Sequence, residues 1–157
     1  MTIEKVNGDI LRCPHEEDTI LIPVNTVGVM GKGLALHAKL IFPEVYDFYK
    51  DLCDEGICKI GEVYPVDRKY VLEMDKVSNP QTVICFPTKD HWKNPSDIHF
   101  IERGLEDLVK FLYRSPFIER IGIPKLGCGL GGLDWNIVYP LIEKYLSPID
   151  KIFTVYE

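Results

Sequence analysis

Hydrophobic and polar positions along the chain follow two rhythms. Short apolar runs alternate with longer stretches in which apolar residues recur every three or four positions, which is the pattern of an α/β fold. Asp18-Thr19-Ile20-Leu21-Ile22-Pro23-Val24, ending in Asn25, predicts a buried strand. Lys69–Met74, Gln81–Phe86, Ile121–Pro124 and Ile152–Tyr156 predict four more. None of these runs alternates strictly, so both faces are expected to be covered, as in the central strands of a layered sheet.

The helical rhythm begins after Gly33, through Leu34-Ala35-Leu36-His37-Ala38-Lys39. A second helix is expected over Pro43–Cys53, with proline in its first turn and Val45, Phe48, Tyr49 and Leu52 packed inward. The clearest helix is Pro95 to about Tyr113, where Ile98, Ile101, Leu105, Leu108 and Leu112 share one face. Asn94 is expected to cap it, and Asp97 to complement its dipole. A last helix starts near Asp134, with Leu133 and Val138 spaced as a hydrophobic staple and Pro140 bending its second turn.

Composition narrows the class. The chain has 157 residues, 46% hydrophobic and 27% charged, with no repeat or low-complexity stretch. Residues 1–157 are therefore expected to form one globular domain with a sizeable core. The net charge of −6 excludes a protein that works through a broadly basic face, though not a local basic patch. No apolar run approaches the roughly 20 residues of a membrane span, and no leader is expected. The five cysteines, Cys13, Cys53, Cys58, Cys85 and Cys128, are odd in number and irregular in spacing. Free thiols in a reducing cytosol are expected, and no paired short spacing suggests zinc.

Glycine supplies the candidate chemistry. Seven of the twelve glycines lie in Gly28-Val29-Met30-Gly31-Lys32-Gly33 and Gly127-Cys128-Gly129-Leu130-Gly131-Gly132. Each stretch follows a predicted strand and precedes a helix, so backbone N–H groups and a positive dipole end converge there. Taken alone, each is a tight turn. Together they suggest a diphosphate gripped between two loops. Neither is a nucleotide-triphosphatase P-loop, which would need Gly at Thr26 and Ser or Thr at Gly33. The first runs G-x-x-G-x-G, the reverse of the dinucleotide-binding fingerprint.

With those loops in view, the sequence resembles the macrodomain family. The resemblance rests on Gly8-Asp9-Ile10, on Asn25 through Ala35, on Phe86-Pro87-Thr88-Lys89, and on Gly127 through Trp135, in that order. It is nearest to the branch that holds the DarG-type antitoxin macrodomains, which remove ADP-ribose from DNA, and the terminal ADP-ribose protein glycohydrolases. The resemblance implies a three-layer α/β/α macrodomain with a central mixed β-sheet and ADP-ribose as ligand. It also implies an ADP-ribosyl glycohydrolase that needs neither cofactor nor metal.

Residue by residue, the resemblance makes Asp9 the acceptor for the adenine amino group and puts Ile10 beside the base. Gly28, Val29, Met30, Gly31, Lys32 and Gly33 would wrap the diphosphate and distal ribose from one side. Gly127, Cys128, Gly129, Leu130, Gly131 and Gly132 would do so from the other. Asn25 would bond the distal ribose, and Thr88 would line the site. Tyr156 would stack on adenine; read alone it is a strand aromatic of the core. Lys89, read alone, is a surface charge. An amine in water is protonated and inert near neutral pH, whereas desolvation or a second cation frees its lone pair. In the resembling glycohydrolases a lysine at the matching Thr-Lys position attacks the anomeric carbon, so Lys89 is the expected nucleophile.

Two departures shape the substrate. The protein-directed enzymes carry an aspartate where Gly131 stands, which favours nucleic acid here; Asp134, three residues on, fits a helix cap. The antitoxins also carry a further C-terminal region, so binding of a toxin through one is not expected. Lys89-Asp90-His91-Trp92-Lys93-Asn94 matches the DNA-directed subfamily, and His91, Trp92 and Lys93 are candidate nucleic-acid contacts. A single strand or an exposed base is the expected form of substrate. A monomer is expected. Processing of ADP-ribose 1″-phosphate or O-acetyl-ADP-ribose, and non-catalytic ADP-ribose reading, are the alternatives that use the same pocket.

Overall fold

The computed structural model describes residues 2–68 and 79–157. Six strands, β1 (Thr2–Val6), β2 (Thr19–Asn25), β3 (Tyr64–Asp67), β4 (Thr82–Lys89), β5 (Arg120–Ile123) and β6 (Ile152–Tyr156), form one sheet. Their order is β1-β6-β5-β2-β4-β3. All neighbours are parallel except the edge pair β3–β4, so the sheet is mixed, as expected. Four α-helices are described: α1 (Gly33–Ile41), α2 (Pro43–Asp54), α3 (Ile98–Tyr113) and α4 (Trp135–Leu146). The strand expected at Lys69–Met74 lies outside the described residues.

The apolar runs fill two cores, one on each face of the sheet. Leu21, Ile84, Phe86, Ile121, Ile123, Phe153 and Val155 point toward α3 and α4. Ile20, Ile22, Val24, Val83 and Cys85 point the other way, toward α1, α2 and the 3-10 turn Ile10–Arg12. Successive residues of one strand thus serve opposite cores, which makes three layers. The α3 helix can lie close on β4 because residue 104 is glycine. A Cβ there would stand 2.3 Å from the Phe86 ring.

Several local expectations are corrected. Asp97, not Asn94, caps α3, its side chain accepting from the His99 N–H. Pro95 therefore precedes the helix instead of opening it. Phe48 is exposed; Val45 and Tyr49 carry the buried face of α2. The α4 helix continues through Pro140, and Asp134 caps it by accepting from the Asn136 N–H. No described helix is long and apolar enough to cross a membrane.

Candidate functional site at the carboxyl ends of the strands

Ligands of open α/β sheets bind outside the carboxyl ends of parallel strands, where neighbouring strands part. Here β5 pairs with β2 only at Thr19↔Ile121 and Ile20↔Gly122. Beyond those residues the two strands diverge, and a glycine loop leaves each of them. The carboxyl ends run in the order β1, β6, β5, β2, β4. They carry in turn Gly8-Asp9-Ile10, Tyr156, the second glycine loop, the first glycine loop and Lys89. The segment after β1 does not stay at the sheet's edge: Ile10 Cγ1 lies 3.2 Å from where a Cβ on Gly122 of β5 would stand.

Asn25 organises the first loop. Its Oδ1 accepts from the N–H groups of Val27 (3.1 Å) and Val29 (3.2 Å) and from the Tyr49 hydroxyl (2.7 Å). Its Nδ2 donates to the Val29 carbonyl at 2.7 Å. The side chain is buried and has one amide proton left for a ligand. The loop itself is two-sided. Gly28 and Met30 are buried, while Val29, Gly31, Lys32 and Gly33 face solvent. Gly28 has φ +85°, a conformation that L side chains rarely adopt.

Lys89 stands in register beside Asn25, across a shift in the β2–β4 ladder. It is the last residue of β4, not a loop residue, and is half-buried. Its amine donates to the Trp92 carbonyl at 3.3 Å. Thr88 beside it is buried. The Thr26 N–H donates to the Lys89 carbonyl (3.1 Å), and the Thr26 hydroxyl to the Asp90 carbonyl (2.6 Å). The first loop is thereby tied to the end of β4. After Lys89 the chain turns tightly. Trp92 is 47% exposed, with the His91 ring centroid at 5.1 Å and the Lys93 amine 5.1 Å from its own ring centroid.

In the second loop Gly127 and Gly131 are buried, Cys128 is half-buried, and Gly129, Leu130 and Gly132 are exposed. The Ser96 N–H donates to the Gly131 carbonyl at 2.9 Å, tying this loop to the approach of α3. Gly131 leaves no space for a side chain. A Cβ there would lie 2.4 Å from the Gly127 carbonyl oxygen and 2.5 Å from the Ser96 Oγ. That hydroxyl is buried and has no hydrogen-bond partner.

Beyond β1, Asp9 is exposed and caps the 3-10 turn, accepting from the Leu11 N–H at 3.0 Å. Ile10 is buried below it. An open cavity of about 280 Å³ is lined by Asp9, Leu11, His37, Leu40 and Ile41. Tyr156 is only 6% exposed, and its hydroxyl donates to the buried Glu17 carboxylate. Burial and that acceptor push the phenol's pKa up. A stacking role for Tyr156 would have to use the sliver of ring left open.

The structure therefore gathers Asn25, Lys89 and Thr88 with the two glycine loops at one edge, and folds Asp9 and Ile10 back over β5 and toward α1. Sequence reasoning missed Tyr49, Ser96, Glu17 and the α1 wall. For the wall there was a signal. The α1 helix is apolar on nearly every side, yet only Ala38 is buried, leaving Leu40 and Ile41 69% and 51% exposed. Among the described residues no group of three or more His, Cys, Asp or Glu could hold a metal ion.

Comparison with known proteins bears on the family and the fold. Residues 22–142 match the Macro domain family. The chain is 43% identical over 147 residues to a DNA ADP-ribosyl transferase–DNA ADP-ribosyl glycohydrolase fusion protein of Thermosipho africanus, covering 88% of this chain and 38% of that protein. It is 38% identical to a DNA ADP-ribosyl glycohydrolase of Thermus aquaticus, covering 94% of this chain and again 38% of that one. The chain thus spans about two fifths of the length of these curated relatives. Among solved structures it superposes on the macrodomain of Mycobacterium tuberculosis DarG with a TM-score of 0.88 at 35% identity, covering 99% of this chain and 97% of that one. Thermosipho africanus DarTG, solved in complex with ADP-ribose, matches with a TM-score of 0.87 at 39% identity, covering 99% and 41%. A family match over most of the chain and a superposition over nearly all of it lead to one conclusion: the chain belongs to the Macro domain family.

Proposed function

We propose that this chain binds ADP-ribose along the carboxyl edge of its sheet and removes it from ADP-ribosylated DNA, with Lys89 as nucleophile. The observation that carries the reading is the register pair Asn25↔Lys89, one residue at the root of the first glycine loop and the other half-buried beside it. Relatives at 38–43% identity carry the glycohydrolase name, which supports the reaction class. Loop amides would hold the diphosphate, and Asp9 would accept from the adenine amino group. Wedged closed by Gly127 and Ser96, position 131 offers no side-chain base, so the chemistry falls to the amine.

The steps balance without a cofactor. The Lys89 nitrogen lone pair attacks C1″ of the distal ribose, and the C1″ bond to the base breaks as the base leaves with a proton. Ring opening gives a C=N bond to Nζ. Water adds to it, releasing ADP-ribose and restoring the amine. The exposed Trp92, flanked by His91 and Lys93, would stack a base of a single-stranded substrate.

The test uses an oligonucleotide ADP-ribosylated on thymidine. The wild-type protein should release ADP-ribose, and borohydride with ADP-ribose should leave a mass adduct on Lys89. K89A should release none in the time the wild type needs for completion, while binding free ADP-ribose within a few-fold. Equal release by K89A removes the amine from the mechanism. Binding without release by the wild type leaves a reader, and faster release of phosphate from ADP-ribose 1″-phosphate makes the metabolite the substrate.

A further inference from the structure

Beneath the first glycine loop lie two thiols that the proposed chemistry does not use. The α2 helix ends at Asp54, and the chain folds back so that the Ile57 and Cys58 N–H groups both reach the Leu52 carbonyl, at 2.8 and 3.2 Å. This return brings the Cys58 thiol against the Cys53 thiol, within hydrogen-bonding range. Both touch the machinery of the loop. The Gly28 N–H donates to the Cys53 sulfur, and the Cys53 Cβ lies 3.4 Å from where a Cβ at Gly28 would stand. The Cys58 thiol meets the Asn25 carbonyl at 4.0 Å, and the Tyr49 hydroxyl donates to the same carbonyl at 2.8 Å. The remaining three cysteines are free as well, but Cys13 and Cys85 are buried, and Cys128 bonds the Leu126 carbonyl.

We propose that Cys53 and Cys58 form an oxidation site, which a peroxide converts to a reversible disulfide that loosens the first glycine loop and lowers affinity for the diphosphate ligand. The ligand part rests on the reading of the function given above. Cys53, half-buried, is the entry point. Peroxide oxidises its sulfur to a sulfenic acid as the O–O bond breaks and one water leaves. The Cys58 thiol then attacks that sulfur, the S–S bond forms, and the hydroxyl departs with the thiol proton as a second water. Two thiols and one peroxide thus become one disulfide and two waters, and a dithiol reverses the step. The sulfurs must close to about 2.05 Å, which turns the Cys53 sulfur away from the Gly28 N–H. Burial pushes both thiols up, so the reaction is slow at neutral pH and quickens as pH rises.

The experiment treats the whole protein with hydrogen peroxide. It then maps cross-links by differential alkylation and mass spectrometry, hydrogen exchange over residues 26–31, and ADP-ribose affinity by calorimetry. The expected result is a Cys53–Cys58 link, faster exchange in that segment, and affinity at least about tenfold weaker, restored by dithiothreitol. C58S should lose the response to peroxide, read against its own untreated affinity; C58A serves if the serine disturbs folding. A Cys53–Cys85 link, no link at all while Cys128 oxidises, or a link that changes neither exchange nor affinity overturns the proposal. If the reduced protein does not bind ADP-ribose, the functional reading fails. The thiol site then stands or falls on the link and the exchange alone.

Discussion

Replacing Gly131 with alanine is the sharpest probe of the second glycine loop. The added Cβ would stand 2.4 Å from the Gly127 carbonyl oxygen, 2.8 Å from its carbon and 2.5 Å from the Ser96 Oγ. Reaching even 3.0 Å, the shortest approach real Cβ atoms make, requires the Gly127 oxygen to retreat by about 0.6 Å. That oxygen is pinned, because it accepts from the Leu133 N–H at 2.9 Å; the Gly131 carbonyl is pinned by the Ser96 N–H at 2.9 Å. Overpacking of this kind costs about 1–3 kcal/mol. For a chain of this size it should lower Tm by roughly 5 °C. The same shift displaces loop amides, and each charge-assisted bond lost to a phosphate costs about 1.5–3 kcal/mol, so ADP-ribose affinity should fall about tenfold to a hundredfold.

Two companion variants separate the causes. A Cβ on Gly129 meets nothing within 4 Å, so G129A should leave Tm and affinity close to wild type. S96A removes an unpartnered buried hydroxyl and should be neutral or slightly stabilising. Combining it with G131A relieves the 2.5 Å contact but not the carbonyl wedge, so the double variant should remain impaired. Scanning calorimetry gives Tm and titration calorimetry gives affinity. If G131A behaves like wild type, or G129A is as damaging, close backbone approach at residue 131 does not build the site.

Other expectations follow from the same bonds. Y49F deletes the hydroxyl that donates to the Asn25 carbonyl and Oδ1, so unfolding in urea should show a loss of about 1–3 kcal/mol, with weaker ADP-ribose binding. W92A should weaken binding of a modified oligonucleotide by about 1–3 kcal/mol in a fluorescence titration while leaving free ADP-ribose unaffected, since its ring is open for stacking. Burial pushes Cys13 and Cys85 from the ordinary 9.0 up to about 12. Above pH 9 the unfolded thiols lose protons that the folded ones keep, so stability should fall as pH rises from 9 toward 12. Each of the two thiols should account for about 1.4 kcal/mol between pH 8 and pH 10. Urea midpoints that stay level across that interval would refute this.

The central strands were legible because their chemistry is concentrated: β2, β4, β5 and β6 are buried on both faces and read as apolar runs. The edge strands were not. In β1, Thr2–Val6 mixes Glu4 and Lys5 among apolar residues, and β3 is four residues long and contains Pro65. Edge strands need little apolar surface and tolerate proline, so periodicity has little to find. The predicted strand ended at Phe86, before Pro87, so Lys89 was expected beyond it, at a loop. In the structure β3 pairs with β4 only as far as Cys85, so Pro87 interrupts no ladder on that side. The two glycine loops were legible by composition. What sequence could not give is the identity of the groups that hold them: Tyr49 from α2, Thr26 against Asp90, and Ser96 ahead of α3, each far along the chain from its partner.

Those holding groups would let an acidic chain hold the proposed diphosphate without a basic face. Asn25 spends its carbonyl oxygen and one amide proton on the loop it begins, leaving a single proton for a sugar. Thr26 and Ser96 fasten the loops to the two ends of the β4–α3 connection, the same segment that carries Lys89 and Trp92. The site is therefore three connections bound into one rim around the gap where β2 and β5 part. Backbone amides, whose partial charges do not alter the net −6, can supply most of its attraction for phosphate. On the proposed reading, the lysine on that rim is left to serve as nucleophile, because the diphosphate does not depend on it for neutralisation.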